Sequence, residues 1–268
     1  MVVLVRSYGN HSNRLFQNLH IEAFCIENNI PFFNATLYDM AWLFAFPYKY
    51  YFAISIVLIF KIVNIFRLTN CRFIPYVEFT DVRQLETYKQ HLLRGRAKLV
   101  FVGGWEFRVY ELVSKHSKIL REKYSVRRSN KEYFIISDKL KEYETVLGVH
   151  IRLNDYKIWQ GGKYAFDDNV YNRFIQKFIR LQNGKRILVL FFSDEKLNMA
   201  SLCCPVDYLI SKNKYYIDYQ LMGKCNYLIG PPSTFTIWAS FCYGVPYLHI
   251  ENPQQVLCLE DFKICSQG

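Results

Sequence analysis

The sequence contains no Cys-x-x-Cys pair and no group of cysteine and histidine at zinc-ligand spacing, which argues against zinc modules. Its eight cysteines, Cys25, Cys71, Cys203, Cys204, Cys225, Cys242, Cys258 and Cys265, are scattered along the chain. Several sit in apolar runs, as Cys25 and Cys242 do, and the adjacent Cys203 and Cys204 are badly placed for a mutual bond. Reduced thiols and a cytoplasmic location are therefore expected. Helix-turn-helix, zinc-finger and RNP patterns are missing, so nucleic acid is not an expected partner. There is no internal repeat and no low-complexity tract. No uninterrupted apolar run reaches the ~20 residues of a membrane-spanning helix. Met1 passes straight into Val2-Val3-Leu4-Val5 and then Arg6, which reads as a short buried strand rather than a secretion signal. The sequons at Asn10 and Asn34 carry little weight without such a signal.

What is present is a 268-residue chain with 51% hydrophobic residues, enough for one large domain or two small ones around a real core. Aromatic residues make up 18% of it. That abundance suits sugar-stacking surfaces but suits an ordinary core better. The net charge is +11, and the whole excess falls between Lys49 and Lys131. A basic region of this kind is either a solvated positive face or a surface for an anionic partner such as a membrane or a charged glycan.

The opening of the chain reads as a β-loop-α unit. A strand at Val2 to Val5 and a loop with Gly9 and Asn10 precede a helical pattern from about Ser12 to Asn28. Leu15, Phe16, Leu19, Ala23 and Ile26 fall near one face of it. Pro31 breaks that pattern, and Phe32-Phe33 starts a second strand. Tyr50 to Phe66 is apolar apart from Lys61 and Asn64, and Arg67 and Arg72 follow. A core helix and a helix lying on a membrane surface fit it equally, the surrounding positive charge being compatible with a peripheral site on the inner membrane face. Lys98 to Gly104 reads as a strand, Glu106 to Lys123 as a helix, and Arg127 to Asn130 as a linker. Domains over 1–130 and 131–268 follow. In the second, strands at Val146–Ile151, Ile187–Phe192, Tyr227–Ile229 and Tyr247–Ile250 alternate with helices at Asp167–Leu181, Tyr216–Cys225 and Ser233–Cys242. Asn183-Gly184 closes the first of these helices. Alternation of this kind predicts an α/β fold with a parallel sheet.

Ligands of such sheets bind beyond the carboxyl ends of the strands, which directs attention to three loops. After Ile151 comes Arg152, whose guanidinium can grip a phosphate bidentately, with Asp155 three residues on. A surface ion pair is the plainer alternative. After Phe192 come Ser193 and Asp194, able to bind a base or ribose or to cap a helix. After Ile229, Gly230-Pro231-Pro232 stiffens a helix entry at Ser233 and Thr234, where a hydroxyl and free N–H groups suit phosphate. A simple N-cap would look the same. Each loop alone is weak; three at one sheet edge make a coherent anion site.

At these residues the chain resembles the α-1,2-fucosyltransferase family (glycosyltransferase family 11). Its HxRRxDY-type motif has a counterpart in HIRLNDY at 150–156, and its FSD-type strand end in FFSDE at 191–195. A later family segment resembles IDYQLMGKCNYLIGPPSTFTIWASF, from Ile217 to Phe241. The N-terminal family loop resembles Asn13-Arg14-Leu15-Phe16-Gln17. Leu153 stands where a second arginine is usual, Pro231-Pro232 and Thr236 alter the later pattern, and Arg14 replaces a glutamine.

The resemblance implies a GT-B-like architecture of two Rossmann-like domains with a donor cleft between them. It implies GDP-fucose as donor, a galactose-containing glycan as acceptor, inversion at the anomeric carbon and no cofactor or obligatory metal. His150 would orient the donor. Arg152, Ser233 and Thr234 would hold its phosphates, and Ser193, Asp194 and Phe235 would complete the donor site. Asn13, Arg14 and Gln17 would belong to the N-terminal, acceptor-side loop. No D-x-D pair is present for a divalent ion, since Asp167-Asp168 reads as a helix start. Positive protein groups must then stabilise the leaving diphosphate. Asp155 is the nearest motif carboxylate for a general base, with Glu22, Asp39 and Glu106 as more distant candidates. Another nucleotide sugar, or a non-catalytic glycan- or membrane-binding role after loss of the second arginine, are the alternatives.

Overall fold

The computed structural model describes residues 1–44, 50–65, 75–202 and 204–265. Arg67, Arg72, Cys71 and Cys203 lie outside the described residues. Two compact units divide the chain, the first over Met1–Arg127 and the second over Arg128–Cys265.

In the first unit, β1 (Val2–Leu4), β2 (Phe32–Asn34), β3 (Tyr76–Phe79) and β4 (Val100–Gly104) form a wholly parallel sheet in the order β2-β1-β4-β3. The β-branched opening residues suit a strand buried on both faces. Successive side chains of β1 then feed opposite cores. Val2 and Leu4 pack with Ile21, Phe24 and Cys25 of α1 (His11–Glu27). Tyr88 and Leu92 of α3 (Leu85–Leu93) join them there. Val3 and Val5 face Ala53, Val57 and Phe60 of α2 (Tyr50–Ile65). Gly104 has φ +98, and a Cβ there would come within 2.3 Å of the Phe79 backbone, so the end of β4 accepts only glycine without distortion.

The stretch expected as one helix from Glu106 to Lys123 is two, α4 (Tyr110–Lys115) and α5 (Ser117–Tyr124). Residues before Tyr110 are instead drawn into the core through Phe107 and Val109. Strand β3 and helix α3 were not legible in the sequence. β3 is an edge strand, half-buried at three of its four residues, and shows no continuous apolar run.

The second unit begins with α6 (Lys131–Leu140). Then follow β5 (Thr145–Ile151), α7 (Asp168–Leu181), β6 (Ile187–Ser193), the short α8 (Met199–Leu202) and β7 (Asp207–Ile210). Helix α9 (Tyr215–Met222), β8 (Tyr227–Gly230), α10 (Thr234–Tyr243) and β9 (Tyr247–His249) complete it. All five strands are parallel in the order β7-β6-β5-β8-β9. Leu147, Val149, Ile151, Val189 and Phe191 pack against Tyr171, Phe174, Ile175 and Phe178 of α7. Asp167 caps α7, its side chain accepting from the Val170 amide at 3.1 Å. Strand β7 escaped the sequence reading because, at the sheet edge, it is half to fully exposed.

Winding proceeds from β5 outward to β6 and β7, then returns to the other side for β8 and β9. The direction therefore reverses between β5 and β8, which is where such sheets open a crevice at their carboxyl edge. Both units are thus Rossmann-like parallel sheets.

Candidate functional site

The β5–β8 reversal brings His150, Arg152 and the Gly230–Phe235 turn to one edge. His150 is a strand residue whose side chain points away from the Val149 and Ile151 core and is 3% exposed. Its Nδ1 lies 2.6 Å from Thr236 Oγ1, and its ring packs on Phe235 with centroids 5.4 Å apart. Burial, with the Arg152 charge added, pushes the imidazole down to about 3, so it is neutral at physiological pH. Backbone contact is equally close: a Cβ on Gly230 would stand 2.6 Å from the His150 carbonyl oxygen.

Arg152 leaves the end of β5 with its side chain mostly covered. Its Nε donates to Asp155 Oδ1 at 2.8 Å and lies 3.3 Å from Asp194 Oδ2. Burial alone would lower the guanidinium, but the Asp155 hydrogen bond and the Asp194 and Asp155 charges raise it overall. Both terminal amino groups remain without a hydrogen-bond partner among the described residues. They form a donor pair suited to a diphosphate oxygen.

Asp155 is held below the usual carboxylate range, chiefly by its hydrogen bond to Arg152. A carboxylate so stabilised is a weak general base, and its geometry makes it a positioner of Arg152. Asp194 does comparable work. Its two oxygens accept from the Leu153 and Asn154 amides at 3.0 and 3.3 Å, tying the loop after β5 to the end of β6. Ser193 Oγ accepts from the Glu195 amide at 3.2 Å. Leu153, in the place of the second arginine, packs against the apolar core beneath the loop.

Ser233 caps α10, its Oγ accepting from the Phe235 amide at 3.3 Å. Thr234 opens the helix, whose first N–H groups face the edge with their partial positive charge. Tyr156 connects the two halves of the site. Its hydroxyl donates to the Pro232 carbonyl, and the Arg152 guanidinium lies 5.8 Å from its ring centroid. Phe235 packs in turn on Tyr219, centroids 4.6 Å apart.

The residues singled out in the second unit therefore converge. Those of the N-terminal loop lie in the first unit, each with its own surroundings. Gln17 is buried, and its Nε2 donates to the carbonyls of Arg6 and Gly104 at 3.0 and 2.7 Å, joining the ends of β1 and β4. Arg14 forms a forked pair with Asp39 at 2.8 and 2.9 Å and also donates to the Thr36 carbonyl. Asn13 packs across Gly9, whose φ is +68. Of the distant base candidates, Glu22 is buried and bound to Asn18, Lys123 and Tyr124, and Asp39 is bound to Arg14. Glu106 has no side-chain hydrogen bond or ion pair to a described residue.

Three residues went unassigned in the sequence: Tyr156 and Thr236 at this edge, and Asp218 away from it. Thr236 and His150 are 86 positions apart, and nothing local announces their contact. Asp218 did carry a signal, as the acidic residue of an otherwise apolar helical run. It lies on α9 and accepts from Ser211 Oγ at 2.5 Å, just beyond the end of β7.

Burial raises the Asp218 carboxyl from 3.8 to about 7. The folded protein therefore keeps a proton that the unfolded chain has released. That contribution to stability is full below about pH 4 and is lost as pH rises through about 7. Asp218→Asn should gain stability over the parent between about pH 5 and about pH 8. Denaturant unfolding of both proteins at the two pH values measures it, and an unchanged difference would rule it out.

The described cysteines are free thiols, and burial pushes those of Cys25 and Cys225 well up. Among the described residues no group of three or more His, Cys, Asp or Glu stands close enough together to hold a metal ion.

Two Rossmann-like units, the second with an arginine and a helix N-terminus at its switch point, define a GT-B-type architecture. No protein-family profile and no curated protein matches the chain. Solved structures do. A mutant of Arabidopsis thaliana FUT1 in complex with GDP matches 100% of this chain and 74% of its own, at TM-score 0.56 and 10% identity. POFUT1 in complex with GDP-fucose matches over 91% and 94%, at TM-score 0.51 and 9% identity. NodZ α-1,6-fucosyltransferase, soaked with GDP-fucose, matches over 96% and 97%, at TM-score 0.50 and 14% identity. At such identities the likeness establishes the fold that this chain shares with them.

Proposed function

We propose that the chain is an inverting glycosyltransferase that takes fucose from GDP-fucose without a metal ion and transfers it to a hydroxyl of a galactose-containing glycan, in α-1,2 linkage. Donor binding is assigned to residues 131–268 and the acceptor surface to residues 1–130. The observation that carries the reading is Arg152 at the end of β5, with both terminal amino groups unpartnered among the described residues, linked through Tyr156 to the turn that opens α10.

In this reaction the acceptor oxygen attacks the anomeric carbon as the bond to the β-phosphate oxygen breaks. The electron pair of that bond leaves on GDP, and the acceptor proton passes to a base. Charge grows on the β-phosphate oxygens, where the Arg152 fork and the α10 amides meet it in a partly dehydrated setting. Ser233 and Thr234 keep that helix end open to the phosphate. The neutral His150, fixed by Thr236, offers Nε2 to the donor. Asp155 and Asp194 aim Arg152, so the base is a different group. The fucosyltransferase neighbours support this donor over other nucleotide sugars.

The deciding experiment is transfer from GDP-fucose, GDP-mannose and UDP-sugars to galactose-terminated acceptors with EDTA present. Release of GDP coupled to fucosylated product is expected. Turnover with a UDP-sugar alone would replace the donor assignment. Saturable binding of GDP-fucose with no transfer to any acceptor would favour a non-catalytic role, the reading that Leu153 in place of arginine keeps open.

A further inference from the structure

One strongly apolar surface takes no part in this chemistry. Helix α2 buries Ala53, Val57 and Phe60 against the first sheet, yet its opposite side carries Phe52, Leu58, Ile59 and Ile62, each more than half exposed. Positions 52, 55, 59 and 62 share one helical face, so these side chains form a continuous patch interrupted only by Ser55. Patches of this kind on a soluble domain mark a contact surface.

The patch continues into a cavity of about 200 Å³ between α2 and the sheet, lined by Val3, Phe101, Ile56, Ile59, Phe60 and Leu99. Its walls are almost wholly apolar. Ile59 at 60% and Leu99 at 44% exposure bring it to the surface. Around Leu99 lie Arg94, Arg96 and Lys98, all exposed, with no acidic residue from Arg94 to Val100. Lys61 is also exposed, on α2 itself. The cavity and basic strip lie at the amino edge of the first sheet, opposite its carboxyl edge.

We infer that the first unit docks on an anionic lipid bilayer, laying the outward face of α2 into the headgroup boundary while Arg94, Lys98 and Lys61 meet lipid phosphates. An apolar face beside a basic stretch that has no acidic residue from Arg94 to Val100 is complementary to that surface, where acyl chains lie directly beneath negative headgroups. The helix has 16 residues, and no helix among the described residues is long and apolar enough to cross a membrane. The contact is therefore one of lying on the bilayer. The cavity offers a lipid tail a slot beside Ile59.

Flotation of the full chain with vesicles tests this. Binding is expected to vesicles of equal parts phosphatidylcholine and phosphatidylglycerol but not to phosphatidylcholine alone, and it should weaken as salt is raised. Two variants attack the two components. Leu58→Glu with Ile62→Glu spoils the apolar face at exposed positions. Arg94→Glu with Lys98→Glu reverses the rim without touching α2. Each should weaken binding about tenfold or more, with circular dichroism and thermal melting unchanged. Transfer to a soluble acceptor should also be unchanged. No flotation of the parent, or equal flotation of parent and rim variant, overturns the proposal. So does a parent that forms a dimer in sedimentation, broken by the α2 variant, without binding vesicles. That result would assign the face to a second copy of the chain.

Discussion

Arg152→Ala is expected to lower turnover from GDP-fucose by about 10² to 10³, or about 3 kcal/mol of barrier, while the melting temperature stays near that of the parent. The guanidinium divides its work. Nε is spent on Asp155 and Asp194, and the two terminal amino groups remain for the leaving diphosphate. Their value is greatest when the sugar–phosphate bond has broken and charge has moved onto the β-phosphate. Loss should therefore appear more in kcat than in donor affinity. Arg152→Lys should recover little, because a single ammonium cannot satisfy two carboxylates and still present a fork to phosphate. Asp155→Asn makes a useful contrast. Asp194 still holds Nε, so a smaller fall is expected, and the pH profile should change little if Asp155 positions Arg152 rather than acting as base. Steady-state kinetics with a GDP-release assay, together with GDP titrations by calorimetry, separates these outcomes. Full turnover in Arg152→Ala would sink the assignment of the phosphate site.

Gly230→Ala should reduce both stability and turnover, with turnover falling further. One methyl group appears trivial, but its place is already filled. The new Cβ would lie 2.6 Å from the His150 carbonyl oxygen and 3.2 Å from the His150 Cβ. Backbone cannot step aside as a side-chain tip can, so β8 must shift from β5. Overpacking of this kind costs about 1–3 kcal/mol. The shift occurs where the two strands bring Arg152 and Ser233 to one edge of the sheet, and a small displacement there misaligns both. Gly148→Ala is the control on the same strand pair. Its Cβ would meet Leu228 Cδ2 at 2.6 Å and Cys225 Sγ at 2.9 Å, both side-chain rather than backbone atoms. Its site is also in mid-strand, two residues short of His150. Gly148→Ala should therefore lose stability while keeping most of its turnover per folded molecule. Equal relative losses in the two variants would contradict this account.

Much of the second unit was legible in the chain. Short continuous apolar runs such as Ile187–Phe192, bounded by turn residues, read as strands buried on both faces, and Asp167 and Ser233 announce helix starts through capping chemistry. Strand-end positions then followed from alternation, which is why Arg152 and Ser233 could be named. Edge elements resisted. β3 and β7 are short and partly exposed, so no apolar periodicity marks them. The helix expected from Glu106 failed for a different reason. Phe107 and Val109 satisfy the helical pattern locally, but tertiary burial draws them into the sheet core instead.

Sequence by itself determined the α/β class, the parallel sheet of the second unit, the three strand-end loops and the concentration of positive charge before Lys131. All of these follow from local rules of periodicity, capping and charge. Only the tertiary structure decided what the side chains at those loops contact, because most of their partners are distant in the chain. It coupled Thr236 to the His150 ring and committed Asp194 to holding the loop after β5. It joined Arg14 to Asp39, and it left the terminal amino groups of Arg152 without a hydrogen-bond partner among the described residues. It also settled that α2 has both a buried and an exposed apolar face, since a helix apolar all round does not itself say which side meets the core.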